Sequence, residues 1–246
     1  MSGSRKEGMP LHASVKEAET MNASIRYERA REMWARNAET MHAMRDRIDP
    51  VAYEQVFQAI RQCTGRIATL GMGTSSVAAR KIAHMLCVAN VPSFFISAGD
   101  AAHGAFGAVQ PGDLLIVLSK GGNTEELVNL IESIQGKGLQ LITVTQNPAS
   151  RLALAADIVV KLDVAESDQR HMLPTASILA IIAFFDAIAD ELTLCPQFSD
   201  EAFYYNHNHG AVGAGIGGQG GLDIGVFDRR ALQEFAAGGD QHAGAE

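Results

Sequence analysis

Between Arg66 and Leu162 the chain alternates five short apolar runs with stretches of helical periodicity, and that alternation leaves few folds open. The runs are Arg66–Leu70, Ser93–Ile96, Leu114–Leu118, Leu141–Thr145 and Ile158–Leu162. They are short and largely apolar, as strands buried on both faces are. Helical patterns fill the gaps at Ser76–Ala89, Thr124–Lys137 and Ser150–Ala155. Strands joined by helices must lie parallel, because a parallel pair needs a long crossover. The expected fold is therefore α/β: a doubly wound, five-stranded parallel sheet with helices on both faces. A last helix, Thr175–Thr193, is apolar almost all round and should be buried against the sheet or a partner.

Ahead of the sheet, Val15, Ala18, Met21, Ile25, Met33, Trp34, Met41 and Met44 recur at helical spacing through an otherwise charged stretch. This predicts a long helix over Ser14–Ile48, broken at most once, and a second helix follows over Val51–Gln62. Three parts are expected: a tail and helical arm over 1–50, the main domain over 51–197, and an extension over 198–246. The extension holds a glycine-dense loop, Gly210–Gly225, where ordering is entropically costly, and one short helix over Val226–Phe235. Met1–Pro10 has no apolar run of the secretory kind, and Ile178–Ile188 contains Asp186 and falls short of the roughly 20 residues that span a bilayer.

A formal charge of −8 argues against broad attraction to nucleic acid or anionic membranes. An anionic ligand would have to be held locally. Three widely spaced cysteines, Cys63, Cys87 and Cys195, suggest neither a disulfide framework nor a cysteine-rich zinc site, which fits a reducing cytoplasm.

Two strand-to-helix loops carry the chemistry. In Gly71-Met72-Gly73-Thr74-Ser75-Ser76, glycines let an anion approach the backbone, and free N–H groups and the positive end of the following helix face it. The plainer alternative is a turn in which Ser75 caps the helix. The loop is neither the nucleotide P-loop, lacking its Gly-Lys-Ser/Thr ending, nor the dinucleotide fingerprint, lacking the third glycine. The second loop, Ser119-Lys120-Gly121-Gly122-Asn123-Thr124-Glu125-Glu126, repeats the arrangement after the third run. Two hydroxyl-rich loops at the carboxyl ends of parallel strands can converge on one ligand. Together Gly73, Thr74, Ser75, Ser76, Ser119, Gly121, Gly122 and Thr124 make the candidate phosphate cradle. Glu126 also has a structural alternative, a capping box with Asn123.

These loops, together with Phe94-Phe95-Ile96-Ser97-Ala98-Gly99-Asp100-Ala101-Ala102-His103-Gly104 and Thr145-Gln146-Asn147-Pro148-Ala149-Ser150, resemble the SIS (sugar isomerase) domain of arabinose 5-phosphate isomerases. The order and spacing agree over roughly Ile67 to Gly213. Near the end of that span, His207-Asn208-His209-Gly210-Ala211-Val212-Gly213 is similar to the family's His-Pro-Gly-Gly-Ala-Leu-Gly stretch.

The resemblance implies an SIS-type three-layer sandwich and an aldose–ketose isomerase acting on a phosphorylated sugar, without a redox or nucleotide cofactor. It implies a homo-oligomer, a tetramer, with the site at a subunit interface and His207 presented to a neighbour. The residues it places in catalysis are His103, His207, Glu126 and, with a one-residue gap, Glu166; Ser75, Ser119 and Thr124 would hold phosphate. Two departures stand out. Thr74 occupies the place of a family lysine, and Gly121-Gly122-Asn123 replaces Ser-Gly-Glu. They motivate a second reading, a non-catalytic phosphosugar-binding sensor or regulator. The CBS pair that often follows this domain is not expected here. His171, His207 and His209 could supply imidazoles to a metal, but a His-x-His pair is a weak ligand signal and no metal is assigned.

Overall fold

The computed structural model describes residues 15–196 and 198–207. They fall into two units, one ending at Phe198 and the other beginning at Ser199. Gly210–Gly225, the helix expected over Val226–Phe235, and His209 lie outside the described residues.

The first unit is built on five parallel strands: β1 (Ile67–Gly71), β2 (Ser93–Phe95), β3 (Leu114–Leu118), β4 (Gln140–Thr145) and β5 (Ile158–Lys161). Their order is β2-β1-β3-β4-β5. Every residue of β1 and β3 is buried, the consequence of helices on both faces. Alternation along the strands then divides the core. Ile67, Leu114, Ile116, Leu118, Ile142 and Val144 meet α2 (Pro50–Gln62), α3 (Thr74–Val88) and α8 (Ala176–Thr193) on one face. Ala68, Leu70, Leu115, Val117 and Leu141 meet α4 (Ala98–Ala102), α5 (Glu125–Val128), α6 (Ile131–Gly136) and α7 (Arg151–Leu154) on the other. The result is the expected three-layer α/β sandwich. Polar strand residues are satisfied locally: the buried Thr69 hydroxyl donates to Ala79 O at 2.8 Å, and that of Thr143 to Leu152 O at 3.2 Å.

The arm is one unbroken helix, α1 (Val15–Arg47). Its carboxyl half belongs to the body: Met44 packs on the core, and the Arg36 Nε donates to Ser167 O at 2.9 Å. Met21, Ile25, Tyr27 and Trp34, earlier in the helix, are exposed. Lys81 of α3 and Asp186 of α8 form an ion pair joining two helices on this face.

Three local expectations are corrected. The stretch expected as one helix over Thr124–Lys137 is two, α5 and α6, because Leu130 N–H bonds to Leu127 O, an i to i−3 contact that tightens the chain between them. Ser75 does not cap α3. Gly73 does, at φ +53°, with no capping side chain. Asn123 does not cap α5 either: Thr124 holds that position, while the Asn123 side chain accepts from Arg151 N–H at 3.0 Å. Two further helices carry no periodic signal in the sequence, α4 and, in the second unit, α9 (Asp200–His207).

Candidate functional site

β1 and β3 are neighbours, in register from Ile67↔Leu114 to Gly71↔Leu118, so the two glycine loops leave the sheet side by side. The strand order reverses across this pair, with β2 outside β1 on one side and β4 beyond β3 on the other. Open α/β sheets bind ligands at the carboxyl side of such a switch point.

The first loop is shaped by close approach. A β-carbon on Gly71 would lie 2.7 Å from the backbone carbonyl of Ser75, so only glycine lets α3 start so near the strand. Ser75 N–H bonds to Met72 O and Ser76 N–H to Gly73 O, each at 3.0 Å, and the Ser76 hydroxyl donates to Gly73 O at 2.7 Å. The turn thus uses two of the groups expected for phosphate. Gly73 and Thr74, both exposed, keep N–H groups without a partner among the described residues, as the first residues of a helix do.

The second loop is held more tightly. Gly122 sits at φ +68°, and its N–H is shared between Ser119 O at 3.0 Å and Ser119 Oγ at 3.1 Å. Ser119 is 3% exposed. Its hydroxyl lies 2.9 Å from that of the half-buried Thr124. Two hydroxyls sharing one hydrogen bond consume one hydrogen and leave the other free. Since Ser119 is buried and its hydroxyl has no other acceptor among the described residues, the Thr124 hydrogen is the one placed to reach a ligand.

Glu166 follows β5 and is buried. One oxygen accepts from Lys120 Nζ at 2.5 Å and Ser177 Oγ at 2.5 Å; the other accepts from Thr175 N–H at 2.8 Å and Ser177 N–H at 3.2 Å. Burial pushes its pKa up, but the hydrogen bonds from Lys120 and Ser177 and the charge of Lys120 outweigh burial and hold the carboxyl below its usual range. Glu166 is therefore an ionised anchor for the 163–175 segment, with both oxygens engaged. Lys120, not singled out in the sequence, is 47% exposed and makes no other side-chain bond among the described residues. Its loop position beside Ser119 is the available signal; its pairing across 46 residues is not readable from the sequence.

His103 follows α4 as its C-cap and is exposed, and α4 packs against α5, whose second residue is the exposed Glu126. Glu125 pairs with Arg151, leaving Glu126 as the unpaired carboxylate of that turn among the described residues. The structure thus gathers the Gly73–Ser76 and Ser119–Thr124 loops, His103 and Glu126 along one edge of the sheet, with Glu166 tied in through Lys120. His207 is the last residue of α9 in the other unit, and its side chain lies outside the described residues. His171, at φ +52°, places Nδ1 2.8 Å from Glu166 O, and no group of three metal-ligating side chains comes together among the described residues.

A hollow of about 570 Å³ opens at the opposite, amino edge of the sheet, lined by Gln58, Gln62, Cys63, Asp113, Gln140 and Asp157. Its carboxylates are already used. Asp113 accepts from Arg66 N–H at 2.7 Å and Gln110 N–H at 2.9 Å, and Asp157 from Leu141 N–H at 2.7 Å. It contains none of the loop chemistry.

Comparison with known proteins places the chain. Arabinose 5-phosphate isomerase KpsF of Escherichia coli O6:H1 (strain CFT073) is 33% identical over 184 residues, covering 74% of this chain and 56% of that protein. Arabinose 5-phosphate isomerase KdsD of Pseudomonas aeruginosa is 36% identical over 150 residues, covering 61% of this chain and 46% of that one. The chain thus spans about half the length of the curated relatives it matches. Among solved structures, a Listeria monocytogenes protein provisionally described as a sugar-phosphate isomerase superposes with a TM-score of 0.72 at 38% identity, over 74% of this chain and 96% of that one. An E. coli CFT073 protein in complex with a phosphosugar ligand gives 0.71 at 26% identity, over 76% and 98%. The profile of the SIS domain matches residues 59–190, which take in all five strands, both glycine loops, His103, Glu126 and Glu166, and the chain belongs to the SIS domain family.

Proposed function

We propose that the protein is a phosphosugar isomerase interconverting an aldose phosphate and a ketose phosphate. The observation that carries this reading is the pair of adjacent loops at the strand switch point, with exposed N–H groups at Gly73–Thr74 and the coupled hydroxyls of Ser119 and Thr124. Such a pair fits a phosphate, and the similarity to arabinose 5-phosphate isomerases supports a sugar on it.

In this reading a base removes the C2 proton of the aldose, and the electron pair opens the C1 carbonyl to an enediol whose O1 gains a proton from a second group. The base returns its proton to C1 while O2 loses its own to that second group, giving the ketose with all atoms balanced. His103 and Glu126, whose exposed side chains make no bond among the described residues, fit the two proton-transfer roles, with His207 supplied by a neighbouring subunit of a cytoplasmic homotetramer. The exposed Met21, Ile25, Tyr27 and Trp34 of α1 support such an assembly, because apolar side chains gathered on one helix favour a partner. Glu166 enters as a positioning residue, since its donors would have to leave before it could take a proton.

A second reading, a phosphosugar sensor, is favoured by Thr74, which leaves the first loop without a cation. The two part on one measurement. Incubated in deuterium oxide with a panel of pentose and hexose phosphates, including arabinose 5-phosphate, an isomerase incorporates deuterium at C2 of its substrate. A protein that binds one of these sugars, shifts its melting temperature and incorporates none is a sensor.

A further inference from the structure

Lys120 stands in the second loop between the buried hydroxyl of Ser119 and the exposed Gly121. Its backbone is fixed from two sides: Lys120 O accepts from Gln146 N–H at 2.9 Å and from the Thr145 hydroxyl at 3.0 Å. Its side chain is fixed at the far end by Glu166, which four other donors hold in turn, from Ser177 and Thr175. An ammonium has three N–H donors, of which one is used on Glu166. The remaining two sit on a half-exposed group; the crevice it lines with Thr145, Gln146, Ser177 and the apolar Val144, Leu162 and Ile181 has about 10 Å³, room for no more than a water, so a ligand meets Lys120 on its exposed side. The cation is both preorganised and unsaturated.

Charge balance says which part of a ligand it suits. Glu166 is buried and ionised beside it, so the pair is neutral overall and exerts little long-range pull on a phosphate dianion. It still presents directed N–H donors at fixed positions. Such a group gains most against an oxygen that acquires negative charge during reaction, because its donors are aimed beforehand and need no reorganisation. The phosphate, by contrast, is provided for by backbone N–H groups and hydroxyls.

We propose that Lys120, held by Glu166, is a catalytic residue that donates hydrogen bonds to the carbonyl oxygen of the bound sugar and stabilises the enediolate formed when the C2 proton leaves. The C2 proton goes to the base and the electron pair to the carbonyl oxygen, where Lys120 holds the negative charge, keeping its own protons, until the second group protonates that oxygen to the enediol. The inference rests on the isomerase reading and adds to it the cation that the first loop lacks.

Removing Lys120 alone strands a buried carboxylate, which is strongly destabilising, so the test uses K120M/E166Q beside K120M. With the buried charge gone, the double variant should fold with a melting temperature near wild type. C2 deuterium exchange and turnover are expected to fall about 10²–10³-fold in both variants. Binding of arabinitol 5-phosphate, which carries the phosphate and hydroxyls but no carbonyl, should change by no more than about threefold, since uniform binding is not what Lys120 supplies. Loss of arabinitol 5-phosphate binding in step with turnover would mean that Lys120 only shapes the cradle. Turnover in folded K120M/E166Q within about threefold of wild type would overturn the role of Lys120 and leave the isomerase reading standing. Absence of exchange in the wild-type protein with every sugar of the panel would overturn both.

Discussion

The hydroxyls of Ser119 and Thr124 lie 2.9 Å apart across the turn of the second loop, with Ser119 buried and Thr124 half-buried. Ser119 is buried and its hydroxyl has no other acceptor among the described residues, so its hydrogen goes to Thr124 in the arrangement that leaves no buried donor unpaired, and the Thr124 hydrogen is then free for a ligand. The two residues should therefore fail differently. If the loop holds phosphate as proposed, Thr124→Ala removes a direct donor to it and should weaken binding by about 1.5–3 kcal/mol, the worth of a hydrogen bond to a charged group, with little change in melting temperature. Ser119→Ala takes away one of the two acceptors of Gly122 N–H and the partner of the Thr124 hydroxyl, and should lower both affinity and thermal stability. Calorimetric titration with a sugar phosphate and a melting curve for each variant check this; unchanged affinity in both would take the loop out of the site.

Gly122 and Gly121 are adjacent in that loop and should respond in opposite ways. A β-carbon on Gly122 would come within 1.9 Å of Ser150 Oγ and 3.0 Å of Thr145 Oγ1, and the residue has positive φ. A β-carbon on Gly121 meets nothing within 4 Å. Left-handed backbone costs a residue with a side chain about 1–2 kcal/mol, and overpacking a filled site about 1–3 more. Gly122→Ala should lower stability by at least about 2 kcal/mol in urea unfolding. Gly121→Ala should stay within about 0.5 kcal/mol of wild type, as surface changes do. Equal stability of the two would mean that the loop is not packed against Ser150.

The strands are legible in the sequence because burial on both faces leaves runs such as Leu114–Leu118 with no polar residue, and a parallel order follows from the helices between them. The loops are legible as glycine- and hydroxyl-rich strand exits but not in their internal bonding. Ser75 and Asn123 have the chemistry of caps, yet the caps are Gly73, whose positive φ sets the chain direction at the tight exit of β1, and Thr124, the Asn123 side chain being engaged by Arg151 N–H. The short α4 carries too few residues to show a period; its one local signal is Ser97, whose hydroxyl accepts from Asp100 N–H at 3.4 Å. Hidden altogether is the partnership of Lys120 with Glu166, which depends on β3 and β5 ending on the same side of the sheet. Resemblance alone suggests Glu166 as a proton carrier; its surroundings make it an anchor.

That anchor makes a pH-dependent contribution whose direction is fixed by its donors. The carboxyl of Glu166 lies below its usual range in the folded protein, burial opposing and the bonds from Lys120 and Ser177 prevailing, so folding binds its ionised form more strongly than the unfolded chain does. A depressed pKa contributes stability that is fully present above the unfolded value of about 4.3 and is lost as pH falls through the folded value. Asp113 and Asp168 are depressed as well and titrate in the same acidic window, so the pH profile of the wild-type protein alone does not isolate Glu166. The difference between wild type and Glu166→Gln does, because both aspartates are present in each. At pH 7 the glutamine variant should be the less stable, since Lys120 loses its counter-charge and one or more of the donors meets an amide in place of a carboxylate. Urea unfolding repeated from pH 7 downward should show that gap constant to about pH 5 and closing below about pH 4, as the wild-type carboxylate takes up a proton. A gap that widens on acidification would mean that Glu166 is already protonated in the folded protein, that burial outweighs its donors, and that Lys120 is not held by an ion pair.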